Sequence, residues 1–529
     1  MSKARPKTST TDQHARKIAT EIAKGRMPAL SPDLEQYLAE SPREIFAAFN
    51  GAARHMPPGG QDEALAFGYL FLLQGLLEHL RYRIDRGYAG ATDLIQQFQA
   101  DVASRIEAGE VGRHMLGYVA GALHQSKIPA LPELSAAMAI RPAGEETDLP
   151  ADMSQALDGL LESCDGDPFA FAASLAEFGH ALPEEGRCAL ACSLALGGRS
   201  DARAAATMFL LDSSAEVRRA VAGALARAAS SLSPVDLRRL IAMRNWRPES
   251  ERAEIDTIIR NARTAGIECA RWDAGSIETA LGTAIDGAGT QSFMLISPAG
   301  RKKRISSILI KDGVDDAWCG PPETARRIET TIASAGIDLP MLAISRPYLD
   351  RVLSHALALT TEQGQAAPLG LLEVAETIGG ADWQPARIDF AAALVADLPK
   401  AVFDPMAVAD VLRNSGELTD LYPLERSWFE DDPEIAQVVA GGHGRGRAKL
   451  VSYLLQSAFA RRRNKWADIF LRTALWMREA PPADELCWRE LTLVAKALAD
   501  GRDLTEIGLM RDIAERTIAV LASEARRRT

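Results

Sequence analysis

The chain has 529 residues, and 60 lysines and arginines against 71 aspartates and glutamates give it a net charge of −11 at pH 7. Hydrophobic residues make up 47% and charged residues 25%, as in ordinary globular proteins, which excludes a chain that is disordered throughout. The six cysteines are too few for a disulfide scaffold, and the acidic balance excludes a protein that binds nucleic acid with its whole surface.

Residues 1–20 are basic and rich in serine and threonine, and we expect them to be disordered. No apolar stretch of a secretory signal follows them. The most apolar segment, residues 64–77, reads ALAFGYLFLLQGLL and is followed at once by charged residues. Because a bilayer span takes about 20 apolar residues, we interpret this segment as a buried helix. We therefore expect a cytoplasmic protein without membrane contact.

Helix-start signals recur along the chain, each a serine or an aspartate followed by proline. The side-chain oxygen accepts hydrogen bonds from the free N–H groups of a first helical turn, and proline at the first position loses no hydrogen bond. Between these signals lie runs rich in alanine and leucine, with apolar residues at helical spacing. The pattern predicts a mostly α protein, and the signals lie at Ser31, Ser41, Asp167, Ser233, Asp404 and Asp432.

Residues 212–227, DSSAEVRRAVAGALAR, carry the clearest longer pattern. An aspartate precedes a Val-Arg pair, and an apolar stripe that includes Val217 and Leu225 follows at helical spacing. This pattern resembles the second helix of a HEAT repeat, and residues 201–229 form one clear unit. The resemblance implies stacked helical hairpins, an α-solenoid and a scaffold that binds other macromolecules. It implies no catalytic residues.

A different pattern interrupts the helices within residues 267–345. Residues 291–297 and 305–310 have the composition of strands, and a type I turn is predicted between them at residues 297–300. We therefore expect a small α+β unit with a β-hairpin. Two further candidate strands lie at residues 267–272 and 339–345.

Changes in composition divide the chain into six regions. All eight tryptophans lie beyond residue 245, and a stretch rich in proline, glycine and glutamate ends the first helical part. The predicted regions are a disordered basic start at 1–20, an N-terminal helical domain at 21–145, HEAT-like repeats at 146–266, the α+β unit at 267–345, linking helices at 346–400 and a C-terminal helical domain at 401–529.

The sequence offers little catalytic or metal-binding chemistry. Asp315, Asp316 and Cys319 lie close together in the α+β unit, and they are the first residues to test if that unit holds an active site. Cys188 and Cys192 share a helical face, but two thiols alone do not fill a tetrahedral metal site. We therefore predict no catalytic residue, no metal and no cofactor, and an enzyme is the second alternative function.

The first functional prediction is a non-enzymatic scaffold or adaptor that binds a protein partner. Trp428 and Phe429 lie in an acidic loop at residues 421–433, where aromatic rings make good interface anchors. The outer face of the repeat helix adds Arg218 and Arg219. The alternative for the loop is that its two rings pin it to the neighbouring helices.

The other alternative function is a regulator that contacts nucleic acid through local basic clusters. One cluster, residues 301–304, lies in the predicted hairpin turn, and another, residues 461–466, ends in a tryptophan that could stack on a base. A glycine-rich loop before a helix adds two arginines, although it lacks the Gly-Lys-Ser/Thr ending of a phosphate loop. The candidate contacts are Arg301, Lys302, Lys303, Arg304, Arg445, Arg447, Arg461, Arg462, Arg463, Lys465 and Trp466.

Overall fold

The structure is a computed structural model. It describes residues 10–23, 31–56, 62–85, 90–112, 115–126, 128–134, 157, 159–179, 184–272, 275–335, 340–380, 383–418, 424, 427–430, 432–441, 446–479 and 485–528. The chain forms two compact units, residues 1–190 and residues 191–529. Its described part is mostly helical with a small antiparallel sheet, which confirms the mostly α prediction. Within these residues no helix is long and apolar enough to cross a membrane.

Helices of the first unit pack around one long apolar helix, α4. In chain order they are α1 (Thr10–Ala23), α2 (Pro32–Glu40), α3 (Ile45–His55), α4 (Glu63–Asp85), α5 (Ala91–Glu107) and α6 (Met115–Gln125), and a further described helix, α7 (Pro168–Gly179), contacts α6. The fully buried leucines of α4 are Leu72, Leu73, Leu76, Leu77 and Leu80. The interpretation of this apolar run as a core helix is therefore confirmed.

Helix α1 corrects the prediction that residues 1–20 are disordered. Ala15 is fully buried, and Gly68 on α4 permits the close approach, because a Cβ at Gly68 would lie 2.4 Å from the Ala15 carbonyl oxygen. A buried hydrogen bond of 2.8 Å joins Thr11 Oγ1 to Tyr37 Oη on α2. The prediction fails because polar residues at the start of α1 find partners on other helices. The first nine residues lie outside the described part of the chain.

Short helices open the second unit. Helix α8 (Glu184–Leu196) crosses the boundary between the units, and α9 (Ser200–Met208), α10 (Ala215–Arg227), α11 (Pro234–Met243) and α12 (Arg252–Thr264) follow. Val217 and Leu225 of α10 are fully buried, as its apolar stripe predicts. Ser214 caps α10, since its side chain accepts a hydrogen bond from the Val217 N–H.

Five antiparallel strands follow the short helices. They are β1 (Thr279–Thr283), β2 (Gln291–Ala299), β3 (Lys302–Ile310), β4 (Val314–Cys319) and β5 (Met341–Ala343), in the spatial order β4-β3-β2-β1-β5. The predicted hairpin is confirmed as β2 and β3. Its turn is formed by Gly300 and Arg301, with Gly300 at φ +63°, rather than by a type I turn at residues 297–300. Residues 267–272 form no strand, whereas β5 lies within the strand predicted at 339–345.

Helices cover both faces of the sheet. On one face α13 (Ala325–Ala335) packs its Ile328 against Ile296 and Ile305. On the other face lies α14 (Arg346–Glu362), and the ring centroid of its Tyr348 is 6.4 Å from that of Phe293. Phe293 and Ile296 are three residues apart on β2, so they point to opposite faces.

The remaining described helices of the second unit follow the sheet in the chain. They are α15 (Gly370–Thr377), α16 (Phe390–Val395), α17 (Pro405–Asn414), α18 (Pro433–Gly441), α19 (Arg447–Leu454), α20 (Arg463–Met477), α21 (Glu485–Ala499) and α22 (Gly508–Arg528). Two buried indoles contact β1 and the residues after it. Trp428 Nε1, from the segment before α18, donates to the Ile285 carbonyl oxygen at 2.8 Å, and Trp476 Nε1, from α20, donates to the Gly282 carbonyl oxygen at 2.9 Å. The α+β unit is therefore packed into its surroundings.

The Ser-Pro and Asp-Pro signals do begin helices. At Ser41 the signal starts only a 3₁₀ turn, Pro42–Glu44, and its side chain makes no capping bond. Elsewhere the capping residues accept backbone hydrogen bonds as expected, and they are Ser31, Asp167, Ser233, Asp404 and Asp432.

Candidate functional site

An open cleft in the second unit brings three arginines and two tryptophans together. Its volume is about 570 Å³, within the usual range of ligand pockets. The lining comes from α11 and the turn after it, from residues 269–272, from the start of α14 and from the segment that follows α15. We call this site the arginine cleft, and its principal side chains are Arg238, Ile241, Arg244, Trp272, Arg346 and Trp383.

Helix α11 and its following turn present a stripe of side chains to the cleft. Arg238, Ile241 and Asn245 are three to four residues apart, so they share one helical face over about 10 Å. A capping box fixes the start of this helix: Ser233 Oγ accepts from the Asp236 N–H at 3.1 Å, and the Asp236 carboxylate accepts from the Ser233 N–H at 2.8 Å. The position of the stripe is therefore set by local sequence.

Buried ion pairs fix α11 against α15. Arg239 donates from Nε and Nη2 to the two carboxylate oxygens of Glu376, at 2.8 and 2.9 Å, and Arg238 adds a bond of 2.9 Å. Burial alone would raise the pKa of Glu376, but hydrogen bonds from Arg239 and Arg238, together with their charges, lower it. Glu376 is therefore ionised at neutral pH, and it holds Arg238 at the cleft.

Two more arginines lie on the rim of the cleft, and a carboxylate holds each of them. Arg244 is 35% exposed and forms a bidentate pair with Asp256, which lowers the pKa of that carboxyl group. Arg346 is 37% exposed and donates to Asp350 Oδ1 at 2.7 Å and to the Gly380 carbonyl oxygen at 3.1 Å. Both guanidinium groups are thus held in place while part of each side chain faces water.

Tryptophan rings supply the apolar part of the lining. The guanidinium carbon of Arg238 lies 4.8 Å from the ring centroid of Trp272, a cation–π contact. Trp383 is buried and donates from Nε1 to Asp350 Oδ1 at 2.6 Å. Asp350 therefore orients both Trp383 and Arg346.

Two glycines let the backbone after α15 reach Trp272. Gly379 and Gly380 have φ values of +83° and +106°, a region that L side chains rarely adopt. A Cβ on Gly380 would lie 2.5 Å from Cγ of Trp272. Glycine is therefore required at position 380 for this wall of the cleft to close.

The chemistry of the cleft suits the recognition of an anion. A guanidinium group donates hydrogen bonds to carboxylate or phosphate oxygens and stays protonated, so it does not act as a general base. The described lining residues include no histidine and no carboxylate that could exchange a proton. The arrangement can therefore bind and orient a negatively charged group.

The structure corrects the position of Arg218, one of the predicted partner contacts. Its guanidinium is buried, forms an ion pair with Glu251 at 2.6 Å and donates to the Asp212 carbonyl oxygen at 2.7 Å. The placement of Arg218 on an outer face is therefore wrong, because its charge serves to neutralise an interior carboxylate. Arg219 is 58% exposed and pairs with Glu216.

The acidic loop and the second basic cluster bind each other. Glu430 is buried and accepts hydrogen bonds from Trp466 Nε1 at 2.7 Å and from Lys465 Nζ at 3.0 Å. Arg462 pairs with Asp432. These charges are therefore paired within the protein, although Arg461 and Lys465 remain partly exposed. Nucleic-acid contact at this cluster stays a prediction.

The tryptophans of the same two segments are interior residues. Trp428 and Trp466 are fully buried, with ring centroids 6.2 Å apart, so neither of them anchors a partner or stacks on a base. The alternative interpretation, that aromatic rings pin the loop, is confirmed for Trp428, and Phe429 is half-buried. Arg461 pairs with a glutamate of α18, and Arg463 donates to a carbonyl oxygen of α21.

The first basic cluster is spread along the hairpin instead of being gathered in its turn. Arg301 lies in the turn, whereas Lys302, Lys303 and Arg304 belong to β3. Lys303 pairs with Glu278 at 2.6 Å, and Arg304 is half-buried. The exposed cations of this cluster are therefore Arg301 and Lys302.

The glycine-rich loop is only partly described. Arg445 lies outside the described residues. Arg447 begins α19, is 62% exposed and has a guanidinium nitrogen 3.9 Å from a carboxylate oxygen of Glu515. An exposed pair at this distance is weak, so Arg447 keeps most of its charge available.

The residues proposed for an active site in the α+β unit lie on β4. Asp315 and Asp316 are exposed, whereas Cys319 is half-buried with its Sγ 3.2 Å from Ser306 Oγ. Burial raises the pKa of the Cys319 thiol, which keeps it protonated and weakly nucleophilic. The described residues hold no group of three or more histidine, cysteine or acidic side chains that could bind a metal ion.

The sequence does not predict the arginine cleft, because its residues come from segments far apart in the chain. The strongest local signal is the pair Arg238-Arg239 on a helix with a capping box. An ordinary exposed helix face explains that signal equally well. Trp272 ends the segment 267–272, which the sequence suggests is a strand, so no sequence signal places it in a cleft.

Comparisons with known proteins match two helical segments to one named family. Residues 183–266 match the model of the Y4lR second domain, and residues 389–522 match that of the Y4lR C-terminal helical domain. The chain is 25% identical over 475 residues to the uncharacterized protein y4lR of Sinorhizobium fredii (strain NBRC 101917 / NGR234), which covers 86% of this chain and 88% of that protein. No solved structure matches the chain significantly.

These matches overturn the HEAT-repeat resemblance. The segment that carries it, residues 201–229, falls within the match to the Y4lR second domain. The assignment to HEAT-like repeat proteins is therefore wrong, and the α-solenoid expectation loses its basis. The apolar stripe and the Val-Arg pair follow from an amphipathic helix with a buried arginine, which is not peculiar to HEAT repeats. Over residues 183–266 and 389–522, the chain is similar to the second domain and the C-terminal helical domain of Y4lR.

Proposed function

We propose that this chain is a non-enzymatic binding protein that recognises an anionic group in the arginine cleft. The observation that supports this proposal is that Arg244 and Arg346 on the rim are each held by a carboxylate, while about one-third of each side chain is exposed. A guanidinium that is already fixed loses little conformational entropy when it binds a carboxylate or phosphate. The proposal keeps the binding function that the sequence predicts but moves it to a different surface.

The hydrogen bonds of Arg346 leave donors for a ligand. Among the described contacts, its Nε donates to Asp350 and its Nη2 to the Gly380 carbonyl oxygen. A guanidinium has five N–H donors, so the Nη1 group can face an anion while the protein bonds remain. Ile241 and Trp272 line the same cleft and add apolar surface beside these donors.

Citrate, a small polycarboxylate, is a suitable first probe, because each of its carboxylates carries a single charge and accepts two parallel N–H bonds. We expect isothermal titration calorimetry to show binding with a dissociation constant of about 1 mM or lower. Arg346→Gln removes the rim donor without adding a charge, and we expect it to weaken citrate binding at least about fivefold. Thermal melting of the variant shows whether it remains folded.

Arg413→Gln is the matched control for this experiment. Arg413 is 71% exposed and pairs with Asp410, so it resembles the rim arginines but lies outside the cleft. We expect its citrate affinity to equal that of the unmodified protein. The proposal fails if citrate does not bind, or if both variants lose affinity equally.

The other two functions that the sequence suggests have less support. A nucleic-acid contact would rest on the exposed Arg301 and Lys302, since the second basic cluster binds the acidic loop. A gel-shift experiment at low salt in which an oligonucleotide forms no complex would remove this alternative. Catalysis at Cys319 would need a thiolate, and the raised pKa of that thiol opposes one.

A further inference from the structure

We infer that the anion is a side-chain carboxylate on an extended acidic peptide segment of a protein partner. This inference rests on the proposed function and names the class of its ligand. The segment would carry an acidic residue next to an apolar one. Its recognition would combine a charged hydrogen bond at the rim with apolar contact along α11.

The openness of the cleft favours a polypeptide over a small molecule. Ile241 is 36% exposed, Cys269 is exposed, and both rim arginines keep about a third of their side-chain surface in water. Pockets for small molecules usually bury about 70–90% of the ligand surface, which needs walls on most sides. A peptide that lies along the cleft leaves its outer side in water and needs no such enclosure.

The stripe on α11 has the length of a short extended segment. Arg238, Ile241 and Asn245 cover about 10 Å, which is the length of about three residues of extended chain. The stripe places the apolar Ile241 between the polar ends. Arg244 follows Ile241 by three residues and so lies on the same side of the helix. An acidic side chain at Arg244 therefore leaves a neighbouring apolar side chain close to Ile241.

The local charge balance favours a carboxylate over a phosphate. Arg244 already pairs with Asp256, and Arg346 already pairs with Asp350. A phosphate monoester carries a charge of about −1.5 to −2 at pH 7, which would add repulsion from both aspartates. A carboxylate carries one charge and accepts two parallel N–H bonds from one guanidinium.

Fluorescence anisotropy with labelled peptides tests this inference on the full chain. The probe is the acetylated, amidated peptide Ala-Glu-Leu-Glu-Leu-Glu-Ala, and its counterpart has glutamine in place of glutamate. We expect the acidic peptide to bind at least about tenfold more tightly than the glutamine peptide, as loss of a charged hydrogen bond requires. Excess citrate should displace it, and Arg346→Gln should weaken it at least about fivefold.

A second variant separates a peptide from a simple anion. Ile241→Ser removes the apolar contact and leaves the rim arginines unchanged, so we expect weaker peptide binding with unchanged citrate binding. Tyr453→Ser is the matched control, because Tyr453 is 43% exposed on α19, outside the cleft lining. Unchanged peptide binding in Ile241→Ser would overturn the inference.

The outcomes distinguish this inference from the proposed function. If citrate binds and the acidic peptide binds no better than its glutamine counterpart, the inference is overturned and the proposed function stands. If a phosphorylated peptide or an oligonucleotide binds more tightly than the acidic peptide and depends on Arg346, the inference is also overturned. If neither citrate nor the peptide binds, both proposals fail.

Discussion

Buried arginines shape the second unit at the level of single residues. Arg218 and Arg247 are fully buried, and both donate to Glu251, in the turn before α12. Burial alone would raise the pKa of Glu251, but the bonds from both arginines lower it. Truncating either arginine would leave the Glu251 carboxylate with one buried guanidinium partner instead of two, which is destabilising. These arginines therefore stabilise the fold and leave anion binding to the rim of the arginine cleft.

The sequence could predict which residues of α10 are apolar and buried, but not that Arg218 is buried with them. Helical spacing separates an apolar stripe from the other faces, and Val217 and Leu225 follow it. The partner of Arg218 lies on a different element, so no local pattern reports it. The same reason hides the contact between Lys465 and Glu430, although both clusters are visible in the sequence.

His355 should make stability depend on pH. Its Nδ1 accepts a hydrogen bond from the Ile388 N–H at 3.0 Å, and its ring lies 4.8 Å from that of Phe390. Burial, with the charges of Arg387 and Arg472, lowers its pKa to about 4. The unfolded chain takes up a proton near pH 6.5 and the folded chain only near pH 4, so the free energy of unfolding should fall as the pH drops through this range.

Urea unfolding of the unmodified protein and of His355→Gln measures this effect. Glutamine can keep the hydrogen bond but does not titrate. We expect the free energy of unfolding of the unmodified protein, relative to that of the variant, to fall by about 1–2 kcal/mol from pH 7 to pH 4.5. This value is reduced for the partial exposure of the ring. A difference that stays constant with pH would show that the pKa of His355 is the same in the folded and the unfolded chain.

Among the elements, the sheet shows what local signals can and cannot predict. The β2–β3 hairpin is predictable because alternation and turn residues lie next to each other in the chain. Strand β1 escapes prediction because it is short and contains a glycine, and β4 because its two aspartates are typical of a loop. Both are held by neighbours: β1 by the Trp476 indole and β4 by the side chain of Thr360, which accepts from the Val314 N–H.

The hydrogen bond from Trp476 should stabilise β1 selectively. Trp476→Phe leaves the Gly282 carbonyl oxygen without this donor, and we expect a loss of about 1–3 kcal/mol in the free energy of unfolding. Hydrogen–deuterium exchange should become faster in residues 279–283. Trp488→Phe is the matched control. Trp488 is also a buried indole, but its ring forms cation–π contacts with the guanidinium groups of Arg478 and Arg489.

Exchange in β1 that is equally slow in both variants would contradict this account of the sheet. It would mean that strand pairing alone holds β1. Equal acceleration in both variants would point to general destabilisation instead. Measurement of global stability by urea unfolding separates these two cases.

For the whole molecule, composition and helix-start signals were sufficient to predict a mostly helical chain with a small sheet. They did not predict the two compact units, residues 1–190 and 191–529. Apart from the disordered start, which α1 contradicts, the regions of the sequence analysis stay predictions. The arginine cleft is the part least accessible to sequence reasoning, because α11, residues 269–272, Arg346 and the glycines after α15 meet only in the folded chain.

Thiol labelling at the rim tests the binding role of the arginine cleft most directly. Cys269 is exposed and lines the cleft, whereas Cys164 belongs to the first unit and provides an internal reference. Mass spectrometry after reaction with N-ethylmaleimide reports both thiols in the unmodified protein. We predict that saturating acidic peptide slows labelling of Cys269 at least about fivefold and leaves Cys164 unchanged. Labelling of Cys269 at the same rate with and without bound peptide would show that the ligand binds elsewhere.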